Sequence, residues 1–320
     1  MTVNLLFLAL GILLLFLGGE SLIRGALAAA RRLGISPLLS GLVIVGFGTS
    51  SPELAVSVDA AINQRPDIAV GNVLGSNIGN ILLILGLCAV ISPIAVRPVI
   101  LRRDGVVAFA AAGLFAVLAG DGALGRADAA ILLSALAAYL VFSWWSERQG
   151  TAPSAELHKA EAGELAVLPE TVTRTVIAIV MGLVLLIAGS QALLVGAVGI
   201  AEHFRLSEAV IGLTVVAVGT SLPELTVSLI AALRRHADVA IGNILGSNIF
   251  NVLCILGVAA LLQPLPVHER MLSFDQWIML GVTALLLVFL YTGKRLSRTE
   301  GVMLLAGYLG YVAASFLALG

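Results

Sequence analysis

The stretch GTSSPEL at residues 48–54 interrupts an apolar segment with hydroxyls, a proline and a carboxylate. The same pattern returns as GTSLPEL at residues 219–225. A carboxylate deep in an apolar segment is costly unless a partner neutralises it, so Glu53 and Glu224 are candidate functional residues. Because the two stretches occupy matching positions in two halves of the chain, we expect them to contribute to one shared site.

The composition is that of a membrane protein. Of the 320 residues, 59% are hydrophobic and 12% are charged, whereas soluble domains carry about 25% charged residues. The apolar runs are long enough to cross a hydrocarbon core about 30 Å thick. These runs make the lipid bilayer the expected partner. No basic patch with interleaved aromatics suggests nucleic-acid binding. We predict ten spans, at residues 4–23, 38–62, 68–92, 104–120, 128–145, 175–197, 209–233, 239–262, 275–292 and 301–319.

An internal repeat divides the chain into two halves. Residues 41–86 align without a gap on residues 212–257 at an offset of 171, with 27 identities in 46 positions. We assign residues 1–145 to a first five-helix repeat, 146–174 to a polar cytoplasmic linker and 175–320 to a second five-helix repeat. Five is odd, so the second half must enter the membrane from the opposite side. The predicted fold is an all-α membrane protein with ten transmembrane helices in two inverted-topology repeats.

Basic residues are distributed unevenly over the predicted loops. The loops after spans one, three, five, seven and nine hold fourteen of the 18 Lys and Arg. The other side of the membrane holds the remaining four, Arg65, Arg126, Arg205 and Arg270. Basic loops face the cytoplasm. We therefore predict a multi-pass protein of the cell or inner membrane with both termini outside.

Span two carries its polar groups on one helix face. Thr49 and Ser50 precede Glu53 by four and three residues, so the three side chains share that face. Pro52 cannot donate a backbone hydrogen bond, and Gly46 weakens the same turn. The freed backbone carbonyls are tolerable only where they line an enclosed or watery cavity. Span seven repeats the arrangement with Ala217, Thr220, Ser221, Pro223 and Glu224.

Span three supplies a second polar face. Asn72, Ser76 and Asn80 are spaced by four residues and line up along one side of a helix. Span eight matches them with Asn243, Ser247 and Asn251. Hydroxyls and amides can also join membrane helices at about 0.6–2 kcal/mol per bond. That packing role and a functional role are equally open for Ser57, Ser228, Asn77 and Asn248.

The charge partner of Glu53 and Glu224 must come from outside the chain, because the four central spans contain no Lys or Arg. The donors at these positions are all oxygens, which suits hard ions such as Ca²⁺ and Na⁺ and argues against Zn²⁺ or Cu⁺. One Ca²⁺, two Na⁺ or two protons would neutralise two carboxylates. Crossing the membrane empty would bury two unpaired charges, so the pattern favours exchange of competing ions.

The paired motifs resemble the alpha repeats of the cation/calcium exchanger superfamily, and among its members the prokaryotic sodium/calcium exchangers. These motifs are Gly-Thr-Ser-x-Pro-Glu-Leu and Gly-Asn-x-Leu-Gly-Ser-Asn-Ile-x-Asn, and the resemblance covers the whole transmembrane unit. It implies a central cluster of ion sites and alternating access, in which helices one and six slide against the other eight. It also implies, by motif, Ca²⁺ and Na⁺ ligands at Glu53, Glu224, Thr49, Ser50, Thr220, Ser221, Ser76, Ser247, Asn80, Asn251 and, through backbone carbonyls, Gly46 and Ala217.

The resemblance also refines the expected ions. Potassium-dependent members carry Asp where Asn251 stands, which argues against K⁺ co-transport. Proton-coupled members typically carry Gly-Asn-Ala in place of Gly-Thr-Ser, which favours Na⁺. The loop between spans five and six is too short to hold the regulatory Ca²⁺-binding domains of the animal exchangers.

We therefore expect a secondary antiporter that exchanges Ca²⁺ for Na⁺, acts as a monomer and has no resident cofactor. A proton-coupled Ca²⁺ antiporter, or one moving Mn²⁺ or Mg²⁺, would use the same fold and carboxylates. A cation channel is a further alternative, because inverted repeats also occur in channels. An enzyme is not expected: a hydrolase would need a general base near Ser50 or Ser221, and the four histidines, at 158, 203, 236 and 268, lie outside the spans.

Overall fold

The described part of the chain is built almost entirely from apolar helices. A computed structural model describes residues 2–96, 100–149, 171–203 and 219–317. Within these ranges seven helices are long and apolar enough to cross a membrane, and the number is eight if a bent pair of helices is counted as one span. The prediction of an all-α membrane protein is confirmed at this level.

The helices follow the order of the predicted spans. The first half contains α1 (Thr2–Leu33), α2 (Pro37–Ser40, Gly41–Val45 and Gly46–Thr49), α3 (Ser51–Ile62), α4 (Pro66–Gly79, Asn80–Leu85 and Gly86–Ile91), α5 (Ile100–Gly105 and Val106–Leu118) and α6 (Arg126–Gln149). The second half contains α7 (Val172–His203), α8 (Leu222–Leu233), α9 (Ala237–Phe250, Asn251–Ile255 and Leu256–Leu262), α10 (Met271–Asp275 and Gln276–Gly293) and α11 (Arg298–Leu317). Four two-residue strands lie between them: β1 (Ile94–Ala95), β2 (Ala123–Leu124), β3 (Leu265–Pro266) and β4 (Arg295–Leu296).

Span two is divided where the sequence weakens it. The axis bends by 48° between α2 and α3, and Ser50 leaves helical geometry at the break with φ −80° and ψ 8°. Pro52 then occupies the first turn of α3. Backbone N–H groups in that turn have no acceptor within the helix, so a proline there costs no helical hydrogen bond.

Two predicted segments are covered only in part. Predicted span seven, 209–233, begins outside the described residues, and α8 forms its final part. Most of the predicted linker, 146–174, also lies outside them. Its ends are helical, because α6 continues to Gln149 and α7 begins at Val172.

Single wide turns interrupt several of the helices. The π turn of α4 begins at Asn80 and that of α9 begins at Asn251. The two positions are equivalent in the repeat. The π turns that open α5 and α10 also fall on matching segments, Ile100–Gly105 and Met271–Asp275. Single π turns inside α-helices occur frequently at functional sites.

The first helices of the two halves, α1 and α7, pack against each other more extensively than any other described pair of helices. A Cβ on Gly18 would lie 2.7 Å from the main-chain nitrogen of Leu186, and one on Gly189 would lie 2.7 Å from that of Leu15. The backbones can approach this closely only because glycine lacks a side chain. Residues later in α1 contact residues earlier in α7, so the two helices run antiparallel. Glycine recurs every seven residues on both, at Gly11, Gly18, Gly25, Gly182, Gly189 and Gly196.

Two short antiparallel strand pairs join the halves. β1 pairs with β4 and β2 pairs with β3. β1 and β3 occupy equivalent positions in the two repeats, and each pairs with a strand from the opposite half of the chain. The β1–β4 pair joins two loops that the charge distribution assigned to the basic side. The β2–β3 pair joins two loops that it assigned to the opposite side.

The centre of the described structure is formed by α4 and α9. Of their apolar 18-residue windows, 67% and 83% of the residues are buried, against 28–39% for the other helices that could cross a membrane. Side chains such as Val73, Ile78, Ile244 and Ile249 are fully enclosed. The polar residues that the sequence placed on these two helices are therefore buried in protein, except Asn72, which is half-buried.

Candidate functional site

Glu53 is placed by the helix break that precedes it. Ser50 caps the first turn of α3, Pro52 lies in that turn, and the Glu53 side chain is 1% exposed. A carboxylate in the first turn interacts favourably with the positive end of the helix dipole. The second half repeats this local structure at the start of α8, with a carboxylate that is also 1% exposed: Ser221, Pro223 and Glu224.

Each half donates a serine hydrogen bond to the glutamate of the other half. Ser50 Oγ donates a hydrogen bond of 2.9 Å to Glu224 Oε1, and Ser221 Oγ donates one of 3.1 Å to Glu53 Oε1. Neither serine caps its own helix through its side chain. The hydroxyl three residues before each carboxylate thus binds the carboxylate of the other half. A single half therefore cannot form this arrangement.

A further set of hydroxyls surrounds Glu224. Thr49 Oγ1 donates to Asn243 Oδ1 at 3.0 Å and lies 3.4 Å from Ser247 Oγ. Ser247 Oγ lies 3.1 Å from the carbonyl oxygen of Gly46 and 3.5 Å from Glu224 Oε1. The Gly46 carbonyl was expected to be freed, but it accepts a main-chain hydrogen bond from the Ser50 N–H at 3.2 Å in addition to this hydroxyl of the other half.

The side of the site nearer Glu53 is more open. Ser221 and Thr220 are half-buried, and a small cavity borders Ser221 and Ser76. Its wall includes Gly79, which has no side chain to fill the space, and the ring of Tyr308. This cavity adjoins two of the predicted ligands, Ser76 and Ser221.

Asparagine side chains brace the backbone at both glutamates. Asn72 Nδ2 donates to the main-chain oxygen of Glu53 at 3.2 Å and to Ser57 Oγ at 3.0 Å. The equivalent bonds run from Asn243 to the carbonyl oxygen of Glu224 at 3.2 Å and to Ser228 at 2.8 Å. Asn72 and Asn243 were predicted to lie on the polar helix faces but not to belong to the site. The only signal was their four-residue spacing.

Seven buried side-chain oxygens have no hydrogen-bond partner among the described residues, and four of the seven belong to predicted ion ligands. These four are Glu53 Oε2, Glu224 Oε2, Asn80 Oδ1 and Asn251 Oδ1. Both carboxylates and both amides are related by the repeat. An unpartnered buried oxygen is costly, and carboxylate and amide oxygens are ligands that hard cations prefer. The donor set therefore fits Ca²⁺ or Na⁺.

No side chain of the described residues neutralises the two carboxylates. The ion pairs seen there involve Glu20 with Arg24 and Arg234, Asp104 with Arg103, and Asp275 with Arg270. The described residues also contain no cluster of three or more His, Cys, Asp and Glu that could hold a metal. The cluster formed by Glu53, Glu224, Asn80 and Asn251 thus combines a formal charge of −2 with neutral oxygens.

The structure places the predicted ligands on elements that pack together. Gly46 and Thr49 lie on α2, and Ser50 and Glu53 lie at the start of α3. The others are distributed over α4, α8 and α9: Ser76, Asn80, Ser221, Glu224, Ser247 and Asn251. The π turn of α4 packs on α8 and that of α9 packs on α3. Thr220 lies in the turn before α8, and Ala217 lies outside the described residues. Ion binding by these residues remains a prediction.

Known proteins resemble this chain over nearly its whole length. The sequence profile of the family described as sodium/calcium exchanger protein matches residues 3–145 and 174–317. The putative antiporter CaxA of Alkalimonas amylolytica is 42% identical over 316 residues, covering 97% of this chain and 98% of that protein. The sodium/calcium exchanger MaX1 of Methanosarcina acetivorans is 32% identical over 346 residues, covering 98% and 99%.

A solved structure extends the likeness to three dimensions. The sodium-calcium exchanger NCX_Mj superposes on this chain with a TM-score of 0.83 and 31% sequence identity, covering 98% of this chain and 99% of that one. The resemblance inferred from the two motif pairs is thereby confirmed. The chain belongs to the sodium/calcium exchanger protein family.

Proposed function

We propose that this protein is a secondary antiporter that exchanges Ca²⁺ for Na⁺ across the membrane by alternating access. Family membership and the names of its relatives MaX1 and NCX_Mj support exchange of these ions. One observation carries the proposal. Glu53 and Glu224 are buried, each is held by a serine of the opposite half, and each keeps one carboxylate oxygen without a protein partner.

The competing ions share the two glutamates in this proposal. One Ca²⁺ cancels the charge of both, and Na⁺ ions can replace it. The hydroxyls of Ser50 and Ser221 donate hydrogen bonds to the carboxylates. The lone pairs of the two hydroxyl oxygens therefore remain available to a cation. The other proposed ligands are Thr49, Thr220, Ser76, Ser247, Asn80, Asn251 and the carbonyls of Gly46 and Ala217.

We propose that the fold consists of ten transmembrane helices in two inverted repeats, residues 1–145 and 175–320, joined by a cytoplasmic linker at 146–174. The antiparallel packing of α1 on α7 supports inversion, because these are the first helices of the two halves. The strand pairs support it too, because equivalent strands join loops assigned to opposite sides. With the basic loops in the cytoplasm, both termini face outward.

The α1–α7 pair is the proposed moving element. Both helices have largely exposed outer faces, with 33% and 28% of their apolar windows buried, and they pack chiefly on each other. Sliding them past the other helices would expose the site to one side and then the other. A crossing without ions would bury two unpaired carboxylates, which couples movement to ion occupancy.

We propose that one chain suffices for transport and that no resident cofactor or enzymatic step is needed. A single chain supplies both carboxylates and both crossed serines. Because Asn251 is neutral, the described site carries a charge of −2 without a third carboxylate. We expect transport without K⁺.

Uptake of ⁴⁵Ca²⁺ into proteoliposomes preloaded with Na⁺ and diluted into Na⁺-free buffer at clamped pH tests the proposal. We expect uptake that requires internal Na⁺ and responds to an imposed membrane potential. Uptake that ignores Na⁺ and follows a pH gradient would replace Na⁺ by H⁺ as the coupling ion. Flux that needs no counter-ion would indicate a channel and contradict the antiporter.

A further inference from the structure

Four asparagines form a closed set of hydrogen bonds between α4 and α9. Each helix contributes two, one turn apart: Asn77 and Asn80 from α4, and Asn248 and Asn251 from α9. Their exposed fractions are 0–4%. The sequence left open whether Asn77 and Asn248 merely join helices. Their bonding pattern assigns them a further role.

The orientation of the Asn77 and Asn248 amides is fixed by main-chain atoms. Asn77 Nδ2 donates to the main-chain oxygen of Asn248 at 3.1 Å, and Asn248 Nδ2 donates to that of Asn77 at 3.2 Å. A carbonyl oxygen can only accept. Asn77 Nδ2 also lies 3.7 Å from the sulfur of Met279, a second acceptor. Each amide must therefore place its nitrogen against that main-chain oxygen, which leaves its side-chain oxygen free to accept from a different group of the facing helix.

This orientation determines the next pair of amides. Asn248 Oδ1 accepts from Asn80 Nδ2 at 2.9 Å, and Asn77 Oδ1 accepts from Asn251 Nδ2 at 3.0 Å. An amide oxygen cannot donate, so only the nitrogen ends of Asn80 and Asn251 can face these partners. Their oxygens must point away, and both lack a partner among the described residues.

We propose that Asn77 and Asn248 are positioning residues that hold the side-chain oxygens of Asn251 and Asn80 towards the transported cation. The role rests on the proposed function, because it needs an ion to coordinate. A free amide could rotate by half a turn and present its NH₂ group, which repels a cation. The hydrogen bonds among the four asparagines prevent that rotation before the ion arrives, so ion binding requires no reorientation of the two amides.

Asn248→Ala and Asn80→Asp, made singly and together, test the proposal through Ca²⁺ affinity. Asn248→Ala releases Asn80, and we expect the affinity to fall about tenfold, as for the loss of one oriented ligand worth about 1.4 kcal/mol. In the Asn80→Asp background both terminal atoms are oxygens, so orientation no longer matters. In that background, adding Asn248→Ala should leave the Ca²⁺ affinity unchanged or raise it. The reason is that Asn248 Oδ1 would face the new carboxylate at position 80 and repel it, and the alanine removes that oxygen. Calorimetric titration of the purified protein with Ca²⁺ supplies the four dissociation constants.

An equal loss of affinity in both backgrounds would show ordinary packing damage and overturn the positioning role alone. A wild-type protein that binds neither Ca²⁺ nor Na⁺ would overturn the proposed function and, with it, this role. Asn63→Ala is the matched control, because Asn63 is exposed and bonds only within its own turn. If Asn248→Ala does not fold, the mirror pair Asn77→Ala and Asn251→Asp gives the same comparison.

Discussion

Ser50 and Glu224 are 174 positions apart in the chain, yet the serine hydroxyl lies 2.9 Å from a carboxylate oxygen of the glutamate. Ser50 also caps the helix that carries Glu53. A movement of α3 relative to α8 therefore changes the surroundings of both carboxylates together. The two crossed serine bonds therefore link the surroundings of the two carboxylates.

Ser50→Ala should weaken Ca²⁺ transport by removing a buried donor to a carboxylate. Hydrogen bonds to charged groups contribute about 1.5–3 kcal/mol, so we expect the apparent KM for Ca²⁺ to rise at least roughly tenfold. Initial rates of ⁴⁵Ca²⁺ uptake measure it. Ser51→Ala is the control, since Ser51 bonds only to the carbonyl of Phe47 in the preceding turn. Equal effects of the two variants would contradict a specific role for Ser50.

Glu53→Gln and Glu224→Gln should each abolish Na⁺-dependent Ca²⁺ uptake while the protein stays folded. Each removes one of the two charges that Ca²⁺ must neutralise and keeps the shape of the side chain. Uptake and a size-exclusion profile are measured on the same preparation. Glu269→Gln, at an exposed position just before α10, should transport normally. Near-normal transport by either site variant would refute the shared two-carboxylate site.

Gly182→Ala should disturb the α1–α7 contact. A Cβ there would lie 2.6 Å from the main-chain nitrogen of Leu22, closer than packing allows. We expect slower exchange at saturating ions, or a lower melting temperature, because the two backbones must separate. At Gly113 on α5 a Cβ meets nothing within 4 Å. Gly113→Ala should therefore be neutral or slightly stabilising, by up to about 1 kcal/mol, and a similar loss in both variants would exclude the contact as the cause.

Tyr139→Phe should lower stability without changing ion selectivity. The Tyr139 hydroxyl donates to Asp104 Oδ1 at 3.0 Å, and both residues are buried at the junction of α5 and α6. Loss of a buried bond to a charged group costs about 1.5–3 kcal/mol. Thermal unfolding in detergent should show a lower midpoint. Tyr291→Phe, at a side chain that is 74% exposed, should leave the midpoint unchanged, and equal midpoints for both variants would show that the Asp104 bond contributes nothing.

Much of the helical architecture could be predicted from the sequence because membrane spans carry a strong local signal. Apolar length marked the helices, and the proline and glycines around Glu53 marked the break between α2 and α3. The close contact of α1 and α7 also had a signal, glycine at every seventh position, but its meaning required knowing which helix lay opposite. The two-residue strands had no usable signal, because pairing over such short segments depends on tertiary position.

The sequence could name candidate site residues, whose ion binding stays a prediction, but it could not show how they are connected. The repeat identified Glu53 and Glu224 as a pair, yet it could not reveal that each takes its serine from the other half. The bracing of backbone carbonyls by Asn72 and Asn243 was hidden for the same reason. The orientation of an amide depends on atoms brought from elsewhere in the chain, so the sequence could not distinguish the roles of Asn77 and Asn80.

The π turns at Asn80 and Asn251 have an evolutionary consequence. A π turn accommodates one additional residue in a helix, and the two turns occupy the same position in the repeat. One insertion in a common precursor accounts for both more simply than two independent insertions. The wide turn therefore predates the gene duplication that joined the halves. If the two repeats are inserted in opposite orientations, as we propose, the Ser50–Glu224 and Ser221–Glu53 bonds correspond to contacts between two copies of a shorter ancestral chain.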